Sequence, residues 1–269
     1  MADIQLVVVG AGNMGEALLR GMLGAEILPG HSILAVEPLA ERRGVLAKQL
    51  GINTTAELSQ AAGALTYILA VKPQQMAALL PTLAAVLPAE GALVISIAAG
   101  ISTRFLAEGL GPRARLVRAM PNTPMLVGCG CTGLCQGPRA TEADLAFATR
   151  IFAASGQVHV VAESAIDAVT AVSGSGPAYF FYLIEAMVTA GVAEGLDANT
   201  ALALARQTCA GAARLLELSG QAPEVLRQKV TSPGGTTQAA ITTMEDAGVA
   251  DILVRAVQAA ARRSRELGK

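Results

Sequence analysis

Tryptophan is absent from this 269-residue chain, aromatic residues make up 3% of it, and it has two histidines and four cysteines. So few aromatics argue against a base-stacking surface. The net charge of −1, with no long basic run, likewise gives no reason to expect nucleic acid as a partner. Charge is scarce too: 15% of residues are charged and 52% are apolar. That balance predicts extensive burial, subunit contacts included, with Ala and Leu filling close-packed helices. The start, MADIQLVVVGAGNMG, lacks the basic leader and long apolar region of a signal peptide. No stretch approaches the roughly 18 apolar residues of a spanning helix. The expectation is a soluble, cytoplasmic chain with no membrane partner, long enough for two domains.

Three of the four cysteines, Cys129, Cys131 and Cys135, cluster as CGCTGLC. Their C-x-C-x3-C spacing lacks both the usual pair spacing and a nearby fourth ligand of a zinc site. In a strand all three would share one face. The expectation is therefore no metal, and small buried apolar side chains.

What is present is a nucleotide-binding start. IQLVVV reads as a buried strand over 4–9, followed by Gly10, Ala11, Gly12, Asn13, Met14 and Gly15, where the pattern turns helical. The first glycine permits the tight turn and the second lets the backbone approach a pyrophosphate. The third lets helix and strand pack closely, and the helix N-terminus supplies free N–H groups. Further strands are expected at 32–37, 52–54, 64–71 and 92–98, with helices at 39–50, 73–85 and 102–109 between them. This alternation predicts an α/β fold with a Rossmann-type, doubly wound parallel sheet. Strands over 115–120, 129–135 and 157–161 and a helix at 141–154 complete it. Glu37, ending the second strand, suits a ribose 2′-hydroxyl and hence NAD, whereas Arg42 and Arg43 suit the 2′-phosphate of NADP. LAVKP (69–73) and SIAAG (96–100) place further loops at the carboxyl edge of the sheet, where ligands bind in such folds.

From about residue 163 the strands stop and every segment reads at helical period. Gly195 and Gly220 are expected to end helices, and Asn199, Ser232 and Ser175 to start them. The division expected is a dinucleotide-binding domain over 1–162 and an all-helical domain over 163–269. Several helices are apolar around most of their circumference, which predicts an obligate oligomer. In KVTSPGGTTQAAI, Ser232 suits an N-cap and Pro233 the first helical position. Gly234 and Gly235 then leave N–H groups uncovered, and Thr236 and Thr237 surround them with hydroxyls. Such a helix start is an anion site.

GAGNMG, LAVKP, SIAAG, AMPNTP, AVTAVSGSGPAYFF and VTSPGGTTQAA, in this order, resemble pyrroline-5-carboxylate reductase over nearly the whole chain. That resemblance implies hydride transfer from NADPH or NADH to a cyclic imine acid, giving L-proline. It implies that Ser232, Gly234, Gly235, Thr236 and Thr237 bind the substrate, with Thr237 on the ring nitrogen as the catalytic candidate. It brings Glu163 towards the substrate amine. For the cofactor it implies residues 10–15, Ala70, Val71, Lys72 and Pro73, Ala98, Ala99 and Gly100, with Asn122 near the nicotinamide or substrate. An Asn near position 57 that many relatives aim at the adenosine has no clear equivalent in GINTTAELSQ, so the choice between NADH and NADPH stays open. Family members are dimers with interlocking helical domains, often assembled into decamers. Two other readings compete: a non-catalytic NAD(P)H sensor, and a 3-hydroxyacid dehydrogenase. The second needs a lysine that the stretch 173–228 lacks.

Overall fold

The computed structural model describes residues 4–267. It forms two compact units: Met1–Gly174 together with Ala260–Lys269, and Ser175–Ala259. The first unit is built on an eight-stranded sheet. Strand β1 (Leu6–Val9) leads into helix α1 (Asn13–Gly24), β2 (Ile33–Val36) into α2 (Ala40–Leu50), and β3 (Asn53–Thr55) ends that half. Then come β4 (Thr66–Leu69), α3 (Met76–Val86), β5 (Ala92–Ser96), α4 (Thr103–Leu110), β6 (Ala114–Met120), β7 (Gly130–Gln136), α5 (Glu142–Ala153) and β8 (Gly156–Val160). Strand order is β3-β2-β1-β4-β5-β6-β7-β8.

The central strands are short apolar runs because both faces are covered. Leu6, Val8, Ile68 and Ile95 pack with Leu18, Leu19 and Met22 of α1 and with Phe152 of α5. Val7, Val9, Leu69 and Val94 pack on the other face with Leu80 and Leu83 of α3 and Leu106 of α4. Helix boundaries follow local chemistry. Ser102 caps α4 by accepting from Phe105 N, and Thr141 caps α5 in a reciprocal box with Asp144.

The sheet is parallel except at one pairing. Strands β1 to β6 run parallel, but β7 pairs antiparallel with β6, and β8 runs parallel to β7. The reason is the connection. A parallel crossover needs a dozen or more residues. Residues 121–129 hold only a single 3-10 turn (Thr123–Val127) closed by Gly128 at φ 73°, so the chain returns beside β6. The cysteines also separate. Cys129 precedes β7 and is exposed, Cys131 is half-buried, and only Cys135 is buried as expected of a small core residue.

Residues beyond β8 still belong to the sheet unit up to Gly174. Helix α6 (Ile166–Val169) lays Val169 on Gly133, where an added Cβ would lie 2.8 Å from the Val169 side chain. A π-helical segment (Thr170–Gly174) follows. The second unit holds α7 (Gly176–Ala193), α8 (Ala198–Ser219), α9 (Pro223–Lys229), α10 (Thr236–Asp246) and the first part of α11 (Val249–Leu267). Gly191 of α7 lies against Ala201 of α8, so those two helices approach closely. Asp197, not Asn199, caps α8: its carboxylate accepts from the N–H groups of Asn199 and Thr200. Gly220 ends that helix in the left-handed region, as expected.

One apolar run is longer than the sequence reading allows. Glu163–Ala193 is helical over 31 residues, long and apolar enough by length and composition to cross a membrane. Its apolar side chains Phe180, Phe181, Tyr182 and Leu183 are exposed in this single chain.

Candidate active site

Register brings the carboxyl ends of four parallel strands level. Val9 pairs with Val36 and with Leu69, and Leu69 with Ser96. The loops leaving them therefore lie side by side: Gly10 N donates to Val36 O, Ala70 N to Val9 O and Ile97 N to Leu69 O. The chain leaves β1 towards β2 on one side and β4 on the other, so Gly10–Gly15 sits at the switch point where open α/β sheets bind ligands.

The three glycines have distinct duties. Gly10 has φ 87°, and a Cβ there would lie 2.9 Å from Ala70 O. A Cβ on Gly15 would lie 2.4 Å from Gly10 O. These two are required by the fold. Gly12 is not: its φ is −67°, and a Cβ there would meet nothing within 4 Å. The open space lies at the N-terminus of α1, whose cap position carries no side-chain hydrogen bond. Free N–H groups and the positive end of a helix at such an opening are the features of an anion site.

Around this cradle, Glu37 is buried, with Oε2 accepting from Ala11 N and Oε1 from Leu39 N. Val71 is half-buried, Lys72 is exposed, and Pro73 opens a short 3-10 turn. Ala98 is buried, with its N–H held by Ser96 Oγ, and Gly100 turns at φ 77°. The Asn122 amide is held on both sides by protein groups. Its Nδ2 donates to the carbonyl and hydroxyl of Ser173, and its Oδ1 accepts from Cys131 N at 2.8 Å. That amide ties the end of β6 to β7 and to the π-helical segment.

Glu163 is neither free nor merely surface. Its Oε1 accepts from Arg118 Nη1 at 2.8 Å and from Thr103 N, and its Oε2 from Cys135 Sγ at 3.2 Å. Arg118, on β6, is a buried cation whose Nη2 has no partner among the described residues. Burial would raise the Glu163 pKa, but the Arg118, Cys135 and Thr103 hydrogen bonds outweigh it and hold the carboxyl below its usual value. Burial, and then the neighbouring carboxylate, push the Cys135 thiol up to about 12, so it is an unreactive neutral donor. Because the folded Glu163 pKa is depressed, its contribution is present above the unfolded value and lost as pH falls through the folded one. Asp144, paired with Arg115, is shifted the same way. Stability measured by urea should therefore fall as pH drops below about 4. Glu163→Gln should flatten part of that fall and cost roughly 2 kcal/mol at neutral pH, because Arg118 loses its counter-charge. A variant with an unchanged pH profile would contradict this role.

In the helical unit, Ser232 does not cap α10. The helix begins at Thr236 with Gly235 as its N-cap, and Ser232–Gly235 form a turn closed by Gly235 N donating to Ser232 O. Gly234 takes φ 71° in that turn, and its N–H donates to Gln238 Oε1. The glycine N–H groups are thus engaged. The groups left over are the first N–H groups of α10, on Thr236, Thr237 and Gln238. Thr231 and Thr243 donate their hydroxyls to the carbonyls of Arg227 and Ala239, four residues back. For Thr237 the residue four back is Pro233, outside the helix, and neither its hydroxyl nor that of Thr236 has a partner among the described residues. Sequence reasoning missed Arg118 and Gln238. A signal existed for the first: an arginine inside the apolar strand RLVRAM.

A cradle for a dinucleotide at a sheet switch point, joined in one chain to a helical unit with an open helix start, defines a dinucleotide-dependent oxidoreductase. Residues 163–267 match the family described as pyrroline-5-carboxylate reductase dimerisation. Residues 5–100 match the one described as NADP oxidoreductase coenzyme F420-dependent. The pyrroline-5-carboxylate reductases of Synechocystis sp. and Pseudomonas aeruginosa are each 41% identical, the first covering 99% of both chains, the second 100% of this chain and 98% of its own. The solved structure of the Coxiella burnetii enzyme is 36% identical with a TM-score of 0.92, covering 99% of each chain. That of Plasmodium falciparum pyrroline carboxylate reductase with NADP bound is 30% identical with a TM-score of 0.88, covering 100% of each. The chain belongs to the pyrroline-5-carboxylate reductase family.

Proposed function

We propose that this protein reduces 1-pyrroline-5-carboxylate to L-proline with NADPH or NADH. The observation that carries the reading is the pairing of a glycine cradle open at Gly12 with a helix start at Thr236–Gln238 that offers N–H groups and free hydroxyls. When bound, the reduced nicotinamide supplies a hydride to the imine carbon. A cyclic imine is basic enough to carry its own proton, so the residues around it need not include a strong acid. The N-terminus of α10 receives the substrate carboxylate on the N–H groups of Thr236, Thr237 and Gln238, with the Ser232–Gly235 turn leading the chain into it. Thr237 hydrogen-bonds the ring nitrogen, and Thr236 lines the same end. Ala70–Pro73 and Ala98–Gly100 flank the ribose and nicotinamide, while Asn122 and Glu163 hold the backbone and the buried Arg118 beneath them.

Residues 1–162 then serve the dinucleotide, and residues 163–269 serve the substrate and a second copy of the chain. Phe180, Phe181 and Tyr182 of α7 and Ile252, Leu253 and Val254 of α11 are exposed apolar side chains that a homodimer would cover. Dimers assembled further, to a decamer, and a cytoplasmic location complete the proposal. The test is loss of reduced-nicotinamide absorbance on adding the five-membered imine, run beside its six-membered homologue with each dinucleotide. Rapid oxidation with the five-membered ring is expected. Protein that binds a dinucleotide but oxidises none with either imine would favour a sensor instead.

A further inference from the structure

We propose that Arg42 is a positioning residue of the dinucleotide cradle: it turns the Ala11–Gly12 peptide so that Gly12 N–H is left for the ligand, and it balances the acidic side chain in the first turn of α1. The inference rests on the dinucleotide-binding part of the reading above. Arg42 reaches from α2 to the glycine turn, where its Nε donates to Ala11 O at 2.9 Å. Ala11 is fully buried, and its N–H is held by Glu37 Oε2 at 3.1 Å. Both backbone polar groups of Ala11 are therefore fixed by side chains of the neighbouring β2–α2 segment. A trans peptide points its C=O and the following N–H in opposite directions. A carbonyl held on Arg42 thus sends Gly12 N–H away from Arg42, and that N–H has no acceptor among the described residues. It belongs to the glycine whose Cα faces open space.

The second duty concerns charge. Glu16 lies in the first turn of α1. A carboxylate there stabilises a free helix because it sits at the positive end, and for the same reason it competes with a bound pyrophosphate. Arg42 Nη2 pairs with Glu16 Oε2, and Arg20 Nε donates to Glu16 Oε1 at 2.6 Å. Burial would raise the Glu16 pKa, but the Arg20 and Arg42 hydrogen bonds outweigh it and hold the carboxyl below its usual value. Glu16 is therefore charged, and its charge needs cover. The Arg20 side chain is 47% exposed and that of Arg42 27%, so water screens Arg42 less and makes it the stronger counter-charge. Nε and Nη2 of Arg42 serve the turn in this way whichever dinucleotide is bound.

The test is equilibrium binding to the intact protein, read from the emission of the bound reduced nicotinamide with no imine present. Arg42→Ala is expected to weaken NADH and NADPH together, each about tenfold, as for one hydrogen bond to a charged group misplaced. Adding Glu16→Gln to Arg42→Ala should recover about threefold, because the uncovered carboxylate at the helix start is gone. A residue that only braced α2 against α1 would show the reverse, since the double variant removes a second partner of the same contact. Arg42→Ala that weakens NADPH alone overturns the proposal and makes Arg42 a ligand of the 2′-phosphate. Unchanged affinities in the folded variant overturn it too, as does a double variant that binds no more tightly than the single one. Should Arg42→Ala not fold, Arg42→Lys keeps the charge with one nitrogen for two partners; an equal loss for both dinucleotides is expected, and a loss for NADPH alone again overturns the proposal. Wild-type protein that binds neither dinucleotide removes this inference and the functional reading together. A bound dinucleotide with no turnover of the imine removes the functional reading alone.

Discussion

Gly12→Val is expected to abolish dinucleotide binding and leave the fold intact. The backbone at Gly12 is ordinary for any residue, at φ −67°, and the space beyond its Cα is empty of protein atoms to 4 Å. A valine there costs the free protein little. It fills the place where a pyrophosphate must approach the N–H groups opening α1. Charge-assisted hydrogen bonds contribute about 1.5–3 kcal/mol each, so losing even two weakens affinity by roughly 100-fold or more. Gly15→Ala should behave in the opposite way. Its Cβ would press on Gly10 O at 2.4 Å, so thermal stability and binding should fall together. Dinucleotide titration and thermal melting on the two variants separate the glycine that the ligand needs from the one that the protein needs. Unchanged affinity in Gly12→Val would remove the cradle from the account.

Thr237→Ala is expected to lower kcat about 10- to 100-fold while dinucleotide affinity stays within about twofold, the loss of one hydrogen bond to a charged group. A threonine inside a helix can return its hydroxyl to the carbonyl four residues back, as Thr189 of α7 and Thr243 of α10 do. At the second position of α10 no such carbonyl exists within the helix, so the hydroxyl of Thr237 is available to a ligand beside the first free N–H groups. Thr237→Ser should recover most of the rate, since it restores the hydroxyl. Equal loss of turnover and dinucleotide affinity in Thr237→Ala would contradict its assignment to the substrate.

Much of the fold was legible because its causes are local. Gly10, Gly12 and Gly15 carry their own reasons in backbone conformation and close approach, and LVVV and ALVIS announce strands covered on both faces. The direction of β7 was not legible. It depends on the length and closure of residues 121–129, not on the composition of the strand. The roles of Asn122 and Glu163 were hidden for another reason. Their partners Ser173 and Arg118 lie 51 and 45 residues away, and only the folded sheet brings them together. At Ser232 the local rule itself misled. Ser-Pro is a sound helix start, but Gly234 at φ 71° makes a turn first and passes the cap to Gly235. The N–H groups left open at this helix start lie on Thr236, Thr237 and Gln238.

The central claim is that the cradle at Gly12 and the helix start at Thr236 serve one hydride transfer to a cyclic imine. Its most direct test uses a reduced dinucleotide deuterated at the transferring carbon of the nicotinamide, with 1-pyrroline-5-carboxylate, and reads the product by mass spectrometry. The account predicts L-proline carrying one deuterium on the ring carbon that was the imine carbon. Proline without the label, or no proline from protein that has bound the dinucleotide, would contradict it.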